Sequence, residues 1–360
     1  MQTEHLLRYP PLRLDHLERL TDSTGVLQHA LHAVPDPRHG YSIDDQARAL
    51  IVVLAHAGVS GLQRAPRAAY TYLSYIGFAE TPHGSFHNFL SYNRTWLDEH
   101  ASADAHGRAL WALGYASRFG IDRGLADAAS DLFDQAAAGV SLSPWIRPWA
   151  FTIFGLYHRI QARPDASLSG LLQTLANQLV GRFDATAGPT WRWFEDVLTY
   201  CNAKLPAALL LAYEITGERR YLEVGLTALE WLFTVVAGPT GIVRLVGQAG
   251  WYPRGSVKAP FDEQCVDAQG LVEAAIIAYR VSKEQAWRDN AWRAFDWFFG
   301  HNVHGVSLID PATWGCFDGI TVDRLNRNMG AESIVCYLLA YLDLVAAHML
   351  TLDGAVPQGE

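Results

Sequence analysis

Six stretches of this 360-residue chain repeat one pattern, in most cases a carboxylate or amide followed by a run of small and apolar residues. Asp44-Asp45-Gln46-Ala47-Arg48-Ala49-Leu50 returns as Asp104-Ala105-His106-Gly107-Arg108-Ala109-Leu110. Looser copies begin at Asn202, Asp267 and Gly330, and another, near Trp145, opens on tryptophan and proline instead. A helix that is apolar on nearly every face has no side to give to water and is buried all round. Six such helices with polar N-terminal ends predict a ring of inner helices, with a polar mouth where the N-termini gather. A mouth of that kind makes a pocket.

Amphipathic segments alternate with the buried ones: Leu14 to His32, Leu62 to Ile76, Gly124 to Ala138, Ser167 to Phe183, Arg220 to Val236 and Glu284 to Phe299. Each mixes charge with apolar residues at helical spacing, as a helix with one solvated face does. The last inner helix, Glu332 to His348, leaves the first helix to close the ring beside it. The fold class predicted is all-α, an (α/α)6 toroid of six inner and six outer helices. No Pro/Gly/Ser-rich linker divides the chain, so residues 1–360 read as a single barrel domain. Long connections run from each outer helix to the next inner one: Phe78 to Ser102, Ala185 to Cys201, Ala237 to Val266 and Gly300 to Met329. Loops of ~15 residues or more are usually functional. The opposite turns, Gly58 to Gly61, Gly120 to Arg123 and Thr216 to Arg219, are short. One rim is therefore elaborate, with room for short hairpins such as one built on Gly241 to Val246, and the other is plain.

Composition narrows the function. Half of the residues are hydrophobic, enough for a large core, and the net charge of -9 argues against nucleic acid and anionic membranes. Cys201, Cys265, Cys316 and Cys336 form no CxxC pair and read as reduced thiols. The N-terminus lacks the apolar core of a signal peptide and no run spans a bilayer, so a soluble, cytoplasmic protein is expected. His83, His87, His100 and His106 fit no compact metal-ligand motif, so no metal is expected. No phosphate loop, dinucleotide fingerprint or nucleophile elbow is present, so no cofactor is expected. Asp44-Asp45 faintly resembles the Asp-rich motifs of terpene cyclases, but the rim here is polar and amide-rich.

The elaborate rim gathers Asp44, Asp45, Asp104, Glu195, Asp196, Asp262, Glu263, Asp267 and Glu332 among many aromatic residues. Aromatic rings stack on the apolar faces of sugars, and two carboxyl groups can share the acid and base work of glycosidic cleavage. A structural reading stands beside this one. Asp44, Asp104 and Asp267 sit where N-caps belong, and Asp44–Arg48 and Asp104–Arg108 are spaced as intrahelical pairs. Asp45 is a second carboxylate that a cap does not need. Asp45, Glu195 and Glu332 lead as acid and base, with Asp44, Asp104, Asp262 and Asp267 as alternates. Trp191, Trp193 and Trp251 would stack on sugar rings, while His87, His106, Arg108, Asn202 and Lys204 would bind hydroxyls.

Several of these stretches together resemble one bacterial family: Gly40 through Leu50, Phe86-His87-Asn88-Phe89, Asp104 through Trp111, Trp193-Phe194-Glu195-Asp196 through Asn202, and Asn328 through Ser333. The family is an (α/α)6 glycoside-hydrolase-like domain that occurs alone or joined to glycosyltransferases, often beside enzymes of mannoside metabolism. The resemblance covers roughly Thr21 to Val345. It implies a glycoside-active enzyme that hydrolyses a short oligosaccharide, with a mannoside as one candidate and phosphorolysis as a variant. The other reading is a non-catalytic carbohydrate-binding or scaffold protein working with a glycosyltransferase. Two departures stand out. Trp314-Gly315-Cys316 replaces a Gly-Gly-Cys segment, and Cys265-Val266-Asp267 replaces a proline followed by glutamate, so Asp267 reaches one methylene less far.

Overall fold

The computed structural model describes residues 9–98, 102–140, 142–238 and 241–357. Within them, α2 (Ile43–Val59), α4 (Ala103–Phe119), α6 (Arg147–Ala162), α8 (Lys204–Thr216), α10 (Cys265–Ser282) and α12 (Ala331–Ala346) form the inner ring. Each packs on the next, and α12 packs on α2, so the ring closes. The outer helices α3 (Arg67–Ala79), α5 (Arg123–Ala137), α7 (Ala166–Thr186), α9 (Arg219–Val236) and α11 (Gln285–Asp296) pack against the inner helices that precede them. The short α1 (Asp15–Leu20) lies on α12. The expected (α/α)6 toroid is the fold.

Small residues in the inner helices set the ring's tightness. A Cβ on Gly114 of α4 would lie 2.1 Å from the Gly155 carbonyl oxygen of α6, and one on Gly155 would lie 2.4 Å from that of Leu110. Only glycine lets these two backbones approach so closely.

The first outer helix is far shorter than Leu14 to His32. After Leu20, the Asp22 carboxylate accepts from the backbone N–H of Thr24 at 2.7 Å and of Gly25 at 3.2 Å, an Asx turn that ends the helical path. The buried Gln46 amide then takes both the N–H and the C=O of Val26, at 2.9 and 2.8 Å. Beyond it, β1 (His29–Leu31) and β2 (Val34–Asp36) form a hairpin.

The remaining strands lace the elaborate rim. β3 (Tyr41–Ser42) pairs with β4 (Phe89–Leu90), and β5 (Val197–Leu198) with β6 (Tyr252–Pro253). β7 (Glu263–Gln264), β8 (Gly319–Ile320) and β9 (Leu325–Asn326) make a three-stranded sheet. All pairs are antiparallel, and β3 and β7 run straight into α2 and α10, so these pairings fix where two inner helices begin. Gly241 to Val246 is not one of these strands; Val243 makes only an isolated bridge to Ala237. Among the described residues, no helix is long and apolar enough to cross a membrane.

Candidate active site

The mouth is built from first turns. Asp44 and Asp45 are the second and third residues of α2, Asp104 the second of α4, Asp267 the third of α10 and Glu332 the second of α12. The positive end of the helix dipole favours a carboxylate at each of these places. None of the aspartates is an N-cap. Ser42 and Ser102 cap α2 and α4, their Oγ atoms accepting from Asp45 N–H and Ala105 N–H, and Gln264 precedes α10. The carboxylates are therefore free for other partners, and for Asp44 and Glu332 those partners lie on neighbouring inner helices.

Two buried arginines organise them. Arg48 donates from one Nη2 to Asp45 and to Glu332, each at 3.0 Å, and from Nε to the Asp44 carbonyl. Arg108 faces Asp44 on the neighbouring helix, Nε to Oδ2 3.3 Å, with its guanidinium 4.3 Å above the Phe151 ring. The expected intrahelical pairs Asp44–Arg48 and Asp104–Arg108 give way to pairs that tie α2 to α12 and α4 to α2. Asp104 instead accepts from the Tyr200 hydroxyl at 2.5 Å. A third arginine, Arg147, donates to Glu195 at 2.8 Å and to the Tyr200 carbonyl at 2.6 Å.

The carboxyl groups differ in how completely they are engaged. Asp45 is buried with both oxygens in use, one on Arg48 and one accepting from Ser42 Oγ at 2.6 Å. Glu332 is the open one, with 47% of its side-chain surface accessible. Asp267 is buried; the N–H of Asn202 approaches one oxygen at 3.4 Å, and among the described residues the other has no hydrogen-bond partner. Among the described residues, Oδ1 of Asp44 is also without one.

These settings separate the protonation states. Desolvation pushes Asp267 up to about 7, with the charge of Glu332 adding to the shift against Arg147. Desolvation raises Asp45 to about 6 although Arg48 opposes it, and raises Asp44 against Arg108. Glu332 goes the other way. The partial loss of hydration works against ionisation, but Arg48 and then Arg108 outweigh it and hold the carboxyl below the usual glutamate range. The mouth thus holds an acid that keeps its proton close to neutrality and a carboxylate that stays ionised, an arrangement typical of paired acid–base sites.

Glu332 also borders a cavity of about 190 Å³ walled by Gln28, Gln248, Asp262, Gln264 and Asp318. Asp262 enters the site here. Asp318, absent from the sequence candidates, accepts from Ser333 Oγ at 2.6 Å and from Gly330 N–H at 2.9 Å, bracing the start of α12. Amides beside carboxylates offer the mixed donors and acceptors that hydroxyl groups need.

Other expectations are corrected. Trp191 and Trp193 are core residues, 3% and 0% exposed, packed against Trp231, and have no face to offer a sugar. Trp251 is part-exposed, its ring 6.4 Å from that of Tyr200. Lys204 is buried inside the ring, paired with Glu273 and with its ammonium 4.0 Å from the centre of the Trp111 ring, so it cannot reach rim hydroxyls. Asn202 is buried, its side-chain amide closed onto the Thr199 backbone. His106 packs against Phe86 near Ala136 of α5, away from the mouth, and burial lowers it to about 4. His87 stacks on Trp96 and contacts the Asp98 carbonyl at 3.0 Å. Of the four histidines weighed for a metal, His100 lies outside the described residues. Among the described residues no group of three metal-ligating side chains is placed to hold an ion. The four cysteines are buried and unpaired by disulfides, although Cys265 and Cys316 have sulfurs 3.7 Å apart.

The sequence missed Arg48 and Arg147 as site residues, and gave Arg108 only as a binder of hydroxyls rather than as the partner of Asp44. Their signal was present: Arg48 and Arg108 are isolated cations in runs of buried residues, which a helix tolerates only when the charge is paired.

No protein-family model matches the chain, and no curated protein matches it in sequence. Solved structures do. Cellobiose 2-epimerase from Bacillus thermoamylovorans superposes over 93% of this chain and 95% of its own, with a TM-score of 0.72 at 13% identity. A D-mannose isomerase covers 91% and 95%, with a TM-score of 0.66 at 13% identity. An inactive variant of an α-1,6-mannanase of Salegentibacter, with two adjacent aspartates replaced by alanine and α-1,6-mannotetrose bound, covers 92% and 96%, with a TM-score of 0.64 at 12% identity. At these identities the likeness is one of architecture: the chain has the six-hairpin toroid that epimerases, isomerases and glycosidases share.

Proposed function

We propose that this chain is a glycoside-active enzyme that cleaves a short oligosaccharide at the mouth of the ring, with Glu332 and Asp267 as its acid–base pair. One observation carries the reading: the two carboxyl groups occupy first turns of adjacent inner helices and are driven to opposite protonation states. Asp267 would donate its proton to the leaving oxygen. Glu332, ionised and accessible, would act on the other side of the sugar ring, either as nucleophile or as base for water. Asp45 is then a positioning residue, because both its oxygens are spent on Ser42 and Arg48. Its removal would displace the arginine that holds Glu332 ionised. Glu195 acts at one remove, through Arg147.

A mannoside is the substrate class we favour. The α-1,6-mannanase of like fold loses activity when adjacent aspartates are replaced, and Asp44-Asp45 is an adjacent pair at this mouth. A binding or scaffold role would need no carboxyl group buried with a proton near neutrality and an unmatched oxygen. The test is incubation with α-mannooligosaccharides and with cello- and manno-configured disaccharides, with and without phosphate, followed by chromatography of the products. Shorter sugars that vanish in Glu332→Gln and Asp267→Asn support the proposal. Interconversion of intact sugars would replace it with epimerisation or isomerisation, and saturable binding without turnover would favour the scaffold reading.

A further inference from the structure

We propose that the plain end of the ring is a second ligand site, a chamber for an uncharged, mainly apolar molecule that carries a hydroxyl group. The cavity there measures about 520 Å³ and is walled from all six inner helices by residues including Leu54, Trp111, Phe154, Leu211, Ile277 and Leu342. It lies toward their C-terminal ends, whereas the mouth is built on their N-terminal turns. An apolar cavity of ~150 Å³ holds benzene, and ligand sites generally span ~300–1,000 Å³. This one has room for a body of two or more rings.

The wall's charges are already matched. Arg280 donates two hydrogen bonds to Glu214, both at 2.7 Å, and Glu273 pairs with Lys204. His158 is neutral, since burial and then Arg118 and Arg280 lower it to about 3. Burial, reinforced by Glu273, holds the Asp343 carboxyl well above the ordinary range, which favours its uncharged form. Lys283 stands exposed at the lip. A charged ligand would find no unpaired counter-charge inside and would lose its hydration, which excludes ions. A free saccharide would set most of its hydroxyls against leucine and isoleucine. The wall does keep polar capacity: among the described residues, Nδ1 of His158 and Oδ2 of Asp343 have no partner, and Tyr115 and Tyr157 carry hydroxyls beside them. One hydroxyl on an apolar body suits that inventory.

The probe is 1-naphthol, with 1-naphthoate as its charged counterpart, titrated by calorimetry or intrinsic fluorescence. Saturable one-to-one binding of 1-naphthol is expected, with 1-naphthoate roughly tenfold weaker or worse. Gly58→Phe and Ala346→Phe fill the chamber from two sides; a Cβ on Gly58 meets nothing within 4 Å, so the first should fold. Each should weaken 1-naphthol binding by roughly tenfold or more, while Glu332→Gln leaves it unchanged. A crystal soaked with 4-bromo-1-naphthol locates the ligand independently of any variant, by anomalous scattering from bromine. No saturable binding, equal or tighter binding of 1-naphthoate, binding unaltered in folded filled variants, or bromine at the mouth would each overturn the proposal. Its outcome does not depend on whether the mouth cleaves glycosides.

Discussion

The same six helices end in two different chemistries. At their N-termini the ring gathers Asp44, Asp45, Asp104, Asp267 and Glu332, with Arg48, Arg108 and Arg147 among them. At their C-termini it gathers leucine, isoleucine and aromatic rings around charges that are already paired. The helix dipole supplies part of the difference, since it favours anions in a first turn and cations such as Arg280 in a last one. It cannot supply the rest, because a dipole treats every first-turn carboxylate alike. What distinguishes Asp267 from Glu332 is local. One is buried with an unmatched oxygen; the other reaches into the opening and meets an arginine from the neighbouring helix α2. Shared architecture sets where charge is tolerated, and single contacts set which groups can act.

The largest effect expected is catalytic. Glu332→Gln and Asp267→Asn should each slow turnover by roughly 10²–10⁴-fold in protein that remains folded. If both variants retain near-normal turnover, the difference between these carboxyl groups has no catalytic meaning and the site must be sought elsewhere on the rim. The next is structural. Arg48→Leu leaves Asp45 buried without its cation, and removing one partner of a buried pair costs about 3–5 kcal/mol. Chemical denaturation should register that loss. A change within error would mean that Asp45 is protonated and indifferent to Arg48.

How far the chain could be read follows from the same contrast. The ring was legible because its determinants are local: all-apolar helices, short turns at one end, long ones at the other. The first-turn carboxylates were legible because Asp44-Asp45 exceeds what a cap requires. Partners on neighbouring helices were not, since nothing in the order of residues says that Arg48 will meet Glu332 rather than Asp44. Trp191 and Trp193 misled for a related reason. A tryptophan in a rim loop can face the ligand or fold inward, and only packing against Trp231 decides it. Lys204 opens a buried helix as a substrate-binding lysine might, yet Glu273 and Trp111 draw it inside. The early end of α1 was readable in Asp22-Ser23-Thr24-Gly25, a turn sequence that helical periodicity had obscured.

A pH series sharpens the comparison. Burial pushes the Asp267 carboxyl up to about 7 in the folded chain, above the ordinary aspartate value of 3.8. Below the lower value the group is protonated whether the chain is folded or not, and its contribution to stability is fully present. As pH rises the unfolded chain ionises first, so the contribution declines and is gone once pH passes through about 7. Asp267→Asn carries no proton to lose. Its melting temperature relative to wild type should therefore climb between roughly pH 4 and 7 and level off above. Glu332 has the opposite sign: its folded value lies below 4.5, so its contribution is present at neutral pH and lost in acid. For activity the pair should give a bell, with an alkaline limb near neutrality that disappears in the residual activity of Asp267→Asn. A melting difference that does not vary with pH would mean that Asp267 titrates normally.

The smallest effect separates support from chemistry at one helix. Ser102 caps α4, its Oγ accepting from Ala105 N–H at 3.0 Å, whereas Asp104, two residues on, turns to the Tyr200 hydroxyl. Ser102→Ala should lower stability by about 0.5–1 kcal/mol, the milder end for a cap because the serine is exposed. Turnover of the folded protein should be unaltered. Asp104→Asn keeps the size and hydrogen-bonding capacity of the side chain but removes its charge from the cluster around Arg108, so it should leave the melting temperature nearly unchanged and shift the apparent affinity for sugar instead. Tyr200 sits between Asp104 and the part-exposed Trp251, and the orientation of its ring depends on that contact. The two substitutions, two residues apart on one helix, should thus move different measurements. If Ser102→Ala lowers turnover as much as Asp104→Asn does, the first turn of α4 acts as one unit, and its carboxylate has no role beyond holding the helix in place.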